Sequence, residues 1–415
     1  MLYYNAYLVI NDMKYIYGEV DSVHLDVYLT VYRNNSSYGT VTGSGTYDHL
    51  AEATITATLK ENCYFIGWSD CDSKELTRTI TLTSDSTITA NFAKKPYLTV
   101  KSNNTSYGTV TGSGYYMPGD EVTITATLKE NCYFIGWSDC DSKELTRAIT
   151  LTSDSTITAN FAKKPYLTAQ PSNSSYGTVT GSGYYMPGDE VTITATPITG
   201  LEFAKWNDGN TDNPRIITMG TTDITCTASF TILPMEITGT ENGYDYVDLG
   251  LPSGLKWATC NVGATTPEGY GNYYAWGETT TKSSYAESNY TYSNSPTTLP
   301  LNKDAASVNM GGSWRMPTKA ELDELLTECT WIWGTYSGKK GRFVVGKNGN
   351  SIFLPAAGYR GSSVLYNAGS GGRYWSSSLD AGNSDGAYGF SFNSDDVYWF
   401  SDRRAYGRSV RGVCP

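Results

Sequence analysis

Apolar and polar residues alternate with period two through most of the chain. VTITAT at Val122–Thr127 and STITANF at Ser86–Phe92 set β-branched or aromatic residues against small or polar ones. That period predicts short, half-buried strands. GSG triplets and MPGD (Met117–Asp120, Met186–Asp189) supply the turns between them. The period changes at Thr318, which opens a capping box with Glu321 and is followed by Leu322, Leu325 and Leu326 on one helical face. Asp304 to Val308 reads as a second, shorter helix, and GKKG from Gly338 reads as a hairpin turn without phosphate-loop spacing. Near the C-terminus, Ala387 to Ser401 (AYGFSFNSDDVYWFS) reads as a hairpin turning at Asn393 to Asp396. By strand parity Phe390, Phe392, Val397 and Trp399 point inward, while Gly389, Ser391, Tyr398 and Phe400 point outward. Aromatic side chains displayed on a hairpin are unusual unless they contact something.

The pattern repeats along the chain. YLTV at Tyr28 returns as YLTV at Tyr97 and YLTA at Tyr166, each 69 residues on, and SYGTVTGSG recurs at Ser37, Ser106 and Ser175. LKENCYFIGWSDCDSKELTR occurs at Leu59 and Leu128, but the third copy reads PITGLEFAKWNDGNTDNPR. Trp68, Trp137 and Trp206 are expected as core anchors, one per unit, and AKKP at Ala93 and Ala162 as a short linker. These motifs resemble the internalin-B-type (Listeria–Bacteroides) repeat over residues 28 to 234. The resemblance implies three small β modules, 28–96, 97–165 and 166–234, strung as a stalk on a surface protein. Residues 1–27 hold two candidate strands, in YNAYLVIN and KYIYGEV, and are expected to attach the stalk or a partner subunit.

Composition narrows the function. The net charge is -11 over 415 residues, which argues against a nucleic-acid partner. The 42 Gly, the 34 Tyr and a charged fraction of 17% point to β or loop-rich material. No apolar run reaches about 18 residues, so no membrane insertion is expected. MLYYNAYLVINDMKY lacks the features of a signal peptide, which suggests exit by another route such as phage lysis, or a leader that is missing. The eight cysteines contain no C-x-x-C, so neither a zinc site nor any other cofactor is expected. Cys63 with Cys71 and Cys132 with Cys140 are spaced eight apart and admit either a local disulfide clip or free thiols.

After Pro234 the material changes. YVDLGLPSGLKWATCNVGA, YYAWGE, GGSWRMPTKAELDELL, GNSIFLPAAGYR, YWSSSL and SVRGVCP follow in order. They resemble a Fibrobacter/Bacteroides-type paralogous domain of C-type-lectin-like fold. SWRMPTKAELDELL is also similar to a helix of the formylglycine-generating-enzyme superfamily. The fold class expected is multidomain: three small β-rich repeat modules followed by an α+β C-type-lectin-like domain over 235–415. Within it, the 55 residues from Tyr359 to Val413 contain no Lys, Glu, Gln, Met, His, Thr, Ile, Pro or Cys. Tyr, Ser, Gly, Asn and Asp with some Arg make a recognition palette, combining rigid contact area with adaptable hydrogen bonding.

That segment resembles the variable region of a diversity-generating-retroelement variable protein. In that family template Asn codons mutate at adenines, giving residues such as Asn, Tyr, Ser, Asp, Gly, Arg, Ala or Phe but never Lys, Glu, Gln, Met or Trp. The resemblance implies a ligand-binding variable surface at Gly361, Tyr366, Arg373, Ala381, Gly382, Ser384, Asp385, Gly389, Ser391, Asp395, Asp396, Tyr398, Phe400, Ser401, Asp402, Arg403, Ala405 and Tyr406. Trp375, Trp399, Arg404, Arg411 and Cys414 would be scaffold, with Cys260 and Cys414 the preferred bridge if one exists. The reading is a receptor-binding adhesin, on a phage tail fibre or, alternatively, a bacterial cell surface, with a cell-surface protein or glycan as partner. A homotrimer would suit a fibre, although no heptad or collagen signal specifies one. An enzyme of the formylglycine-generating type is the competing class. It is disfavoured by the scatter of Cys260, Cys329 and Cys414 and by histidines only at His24 and His49. Asp395 and Asp396 read as turn residues, and the lectin calcium motifs are absent from this domain.

Overall fold

Alternating side chains need two facing sheets to close a core, and each repeat supplies them. The computed structural model describes residues 25–415 and the backbone of a hairpin at Tyr7–Ile10 and Met13–Ile16. The hairpin overlaps the two candidate strands near the N-terminus, its second strand starting one residue earlier, at Met13. The attachment role given to residues 1–27 lies outside the described residues. The chain falls into two units, Met1–Pro165 and Tyr166–Pro415.

In the first repeat, Asp26–Arg33 and Ser86–Lys94 pair in parallel at the centre of a four-stranded sheet, flanked by Gly45–Asp48 and Cys63–Trp68. A three-stranded antiparallel sheet of Gly39–Thr42, Glu52–Leu59 and Thr77–Thr81 faces it. Val27, Leu29 and Val31 alternate into the core with Ile55, Ile88, Phe92 and Trp68. The second repeat repeats this arrangement, with Trp137 in the place of Trp68. The indole N–H of each buried tryptophan finds a carbonyl: Trp68 donates to Glu75 and Trp137 to Glu144, both at 2.9 Å, and Trp206 to Asp212 at 2.8 Å. These are core anchors, as expected. All eight cysteines are free thiols, so neither the local clips nor the Cys260–Cys414 bridge is present. Cys63 and Cys132 are buried while Cys71 and Cys140 are exposed, which places the two thiols of each would-be clip in different environments.

The third repeat keeps both sheets but shares its core with the C-terminal region. Leu167, Ile193, Leu201, Trp206 and Phe230 pack in one cluster with Ile332, Phe343, Val345 and Phe353. The divergence of this copy falls at that contact. Lys60, Glu61 and Asn62 of the first repeat are replaced by Ile198, Thr199 and Gly200, and Lys94 by Ile232. Ile198, Phe203 and Ile232 pack against the shared cluster. Gly200, at φ 86°, lies so close to Val345 that a Cβ there would sit 2.4 Å from its Cγ1. Tyr176 donates to the Trp333 carbonyl at 3.2 Å.

The C-terminal region mixes strands with two helices. α1 spans Ala305–Met310, capped by Asp304, and α2 spans Lys319–Glu328, with the capping box of Thr318 and Glu321 in place. Leu322 and Leu325 of α2 are buried with Trp257, Val344, Ile352 and Leu354. A hairpin of Thr330–Tyr336 and Lys339–Val345, turning at Ser337 and Gly338, continues into Ser351–Pro355. The last strand, Arg411–Cys414, returns to pair with Lys256–Asn261. The wholly buried Arg411 donates to the carbonyls of Ala258, Thr259 and Phe353 and to Asn261 Oδ1. Burial works against its charge, and four acceptors retain it. Arg411, Arg404, Trp375 and Cys414 are all buried, in the scaffold positions expected for them, and Trp399 is half-buried.

Candidate ligand-binding face

A three-stranded antiparallel sheet of Gly372–Leu379, Gly386–Phe392 and Val397–Arg403 carries the candidate residues. The hairpin expected from the pattern is its second and third strands. Register alone sorts the two faces. Tyr374, Phe390 and Trp399 lie in one row, and Gly372, Phe392 and Val397 in another. These point inward: Phe390 and Phe392 are 1% exposed, and Val397 and Trp399 pack against the same core. Tyr374 and Phe390 stack with centroids 5.2 Å apart and planes 4° from parallel, and Trp331 meets Phe390 edge-on. Lys319 of α2 sits 4.5 Å from the Trp399 ring.

On the opposite face the rows are Arg373, Ser391, Tyr398 and Trp375, Gly389, Phe400. Tyr398 is displayed, 44% exposed. Phe400 is not displayed as expected. It lies over Gly389, where a Cβ would come 2.6 Å from the ring, and packs on Trp375 at 5.7 Å. A further partner is Arg408, whose guanidinium is 4.2 Å from the Phe400 centroid and 4.7 Å from Trp375. Arg408 is wholly buried and ion-paired with Asp402, with Nε and Nη1 lacking hydrogen-bond partners. Burial lowers its pKa to about 10, partly opposed by Asp402, so it stays a cation held by rings and one carboxylate.

The structure gathers part of the expected set and disperses the rest. Arg373 stands 4.3 Å over Tyr359, which stacks on Tyr366 at 5.3 Å and meets Tyr406 at 6.2 Å. Arg373, Ser391, Tyr398, Phe400, Asp402, Tyr366 and Tyr406 therefore belong to one arginine-aromatic patch. Gly361, Gly389 and Ala405 are buried, and at Gly389 the Tyr374 carbonyl and the Phe400 ring occupy the space a side chain would need. Ala381, Gly382, Ser384 and Asp385 are exposed on the loop between the first two strands. That loop is ordered by Asp380, which accepts from Gly382 N at 2.9 Å. Asp395 and Asp396 form the hairpin tip, where Asn393 Oδ1 accepts from both backbone N–H groups at 2.8 Å; they are turn residues, as read. Ser401 and Arg403 are exposed on the last strand.

A cavity of about 290 Å³ opens beside the patch, lined by Arg373, Ser391, Asn393, Tyr398, Asn367 and Ser370 with the backbone of Gly358 and Gly371. Arg373, Ser391 and Tyr398 come from the expected set. Tyr359, Asn367, Ser370, Asn393 and Arg408 do not; all five belong to the Tyr359–Val413 alphabet, which did not single them out. A second cavity of about 250 Å³, lined by Tyr244, Thr259, Cys260 and Met310, contains no residue of that set. Burial pushes the Cys329 thiol up to about 12, so it is not a ready nucleophile. Among the described residues no cluster of three or more His, Cys, Asp or Glu could hold a metal ion, and no helix is long and apolar enough to cross a membrane.

Comparison with known proteins bears on the repeats. Residues 29–96, 98–165 and 167–234 each match the divergent InlB B-repeat domain. Residues 29–234 thus carry three tandem matches to that family. Such repeats suggest a surface or adhesin-like protein. The search of curated proteins gave no match. Among solved structures, a point mutant of the major pilin from Streptococcus pyogenes aligns over 51% of this chain and 99% of the pilin, at 10% identity and a TM-score of 0.10. That likeness is too slight to carry an argument.

Proposed function

We propose that the chain is a receptor-binding adhesin whose C-type-lectin-like head presents a diversified binding surface on a repeat stalk. The observation that carries this reading is the division of the last sheet by face. One face is an aromatic stack committed to the core. The other presents Arg373, Ser391 and Tyr398 around a cavity, within a segment of restricted alphabet. Rigid aromatic area beside small hydrogen-bonding residues is the physics of an adaptable recognition surface. A weak single site would be strengthened by multivalent display. On a virion fibre or a cell surface the geometry serves the same purpose.

Two experiments test the reading. Sequencing the same locus in sibling isolates should find changes concentrated at the patch and the two exposed loops, with Phe390, Phe392 and Trp399 constant. Changes scattered evenly over both faces defeat the diversification idea. Whole-cell binding by a Tyr366→Ala/Tyr398→Ala variant should fall at least tenfold while its melting temperature is kept. Unchanged binding would move the site elsewhere.

A further inference from the structure

We propose that the cavity beside Arg373 is a subsite for an acidic monosaccharide, a sugar ring bearing a carboxylate, within a surface glycan. This rests on the adhesin reading and names the chemistry that its site selects. Arg373 is the sole charged side chain lining the cavity. Its charge is only partly met within the protein. Asp402 is bound by the buried Arg408, and Arg373 reaches the same Asp402 oxygen only at 3.4 Å. Two guanidiniums therefore share one carboxylate, and the cluster keeps one net positive charge. The Arg373 guanidinium carbon lies 4.3 Å from the Tyr359 ring centroid, and Nη1 donates to Asp402 at 3.4 Å. A guanidinium carries five N–H donors, and a carboxylate is the partner that takes two of them in parallel.

The rest of the lining suits a sugar ring. Tyr398 offers an exposed aromatic face at one wall. Ser391 supplies a hydroxyl from the central strand, opposite both Arg373 and Tyr398 in the register. Asn393 uses its Oδ1 to hold the turn, which leaves its amide N–H groups for a ligand. Asn367 and Ser370 add an amide and a hydroxyl to the lining, the hydroxyl donating to the Asn367 carbonyl at 3.0 Å. At about 290 Å³ the cavity is at the small end of ligand sites and admits one ring rather than an extended chain.

The test uses the full chain and a matched pair of probes, methyl glucuronide and methyl glucoside, titrated by calorimetry or saturation-transfer NMR. The glucuronide should bind at least tenfold more tightly than the glucoside. Arg373→Lys should remove most of that preference while leaving glucoside binding in place. Equal binding of the two probes by the unmodified protein, or no glucuronide binding in the millimolar range, overturns the proposal without relying on any variant. Binding of acetate as tight as the glucuronide overturns the sugar part. Whole-cell binding separates this inference from the adhesin reading. If Tyr398→Ala abolishes cell binding but the probes are not distinguished, the face stands and the acidic ligand falls.

Discussion

Placing asparagine at position 200 should loosen the third repeat from the C-terminal region. The first two repeats carry Asn62 and Asn131 at this position, at φ 56° and 54°, whereas Gly200 adopts φ 86°. Asparagine enters the left-handed region more readily than most residues, so the Gly200→Asn change adds a modest backbone strain to the contact it creates. The contact is severe: the new Cβ would lie 2.4 Å from Val345 Cγ1 and 2.8 Å from Cγ2. Overpacking of this kind costs roughly 1–3 kcal/mol. Removing a glycine from the unfolded chain returns about 0.4–1 kcal/mol. The net loss is about 1–2 kcal/mol, which for a unit of this size lowers the melting temperature by roughly 2–8 °C. Differential scanning calorimetry of the full chain reads it directly. The transition of the unit Tyr166–Pro415 should move while that of Met1–Pro165 stays. In a Val345→Ala background both clashing Cγ atoms are gone, so the same change should cost less, a coupling of at least about 0.5 kcal/mol in a double-mutant cycle. Additive effects, or an unmoved second transition, would refute the docking argument.

Trp137→Ala should cost about 3–5 kcal/mol and melt the second repeat selectively, seen as lost amide protection confined to residues 97–165. For Glu321, burial opposes ionisation, but Arg315 and the Thr318 backbone N–H hold its carboxyl below the ordinary range. Its stabilising contribution is complete above the ordinary glutamate value near pH ~4.3 and is lost as pH falls through the lowered one. Glu321→Gln should therefore flatten the acid limb of the stability profile below about pH 4, and an unchanged limb would exclude the pairing. Thiol labelling of the native chain should modify Cys71 and Cys140 first, leaving Cys63, Cys132, Cys226 and Cys414 until unfolding. Cys414 labelling that requires prior reduction would reinstate a bridge.

Several features were legible in the residues alone. The 69-residue period shows by direct comparison of the copies, while the capping box at Thr318 and the hairpin around Asn393–Asp396 depend on neighbours within a few positions. Strand parity also placed Phe390, Phe392, Val397 and Trp399 against the core, because side-chain period two leaves a strand only two choices. The candidate site was half legible. The alphabet of Tyr359–Val413 pointed to a surface, but it could not separate Tyr398, which is displayed, from Phe400, which is not. That difference is set by Gly389, Trp375 and Arg408, which meet Phe400 only in three dimensions. Nothing local distinguishes the buried Arg408 from the exposed Arg403 five positions earlier. Likewise the third repeat read as diverged material, while its Ile198, Gly200 and Ile232 acquire meaning only beside Val345 and the hairpin that carries it. Sequence by itself determined the elements and which way their side chains alternate, because those follow from backbone geometry and nearest neighbours. Tertiary structure alone decided which faces met, since burial and pairing over long separations depend on the packing of the whole unit.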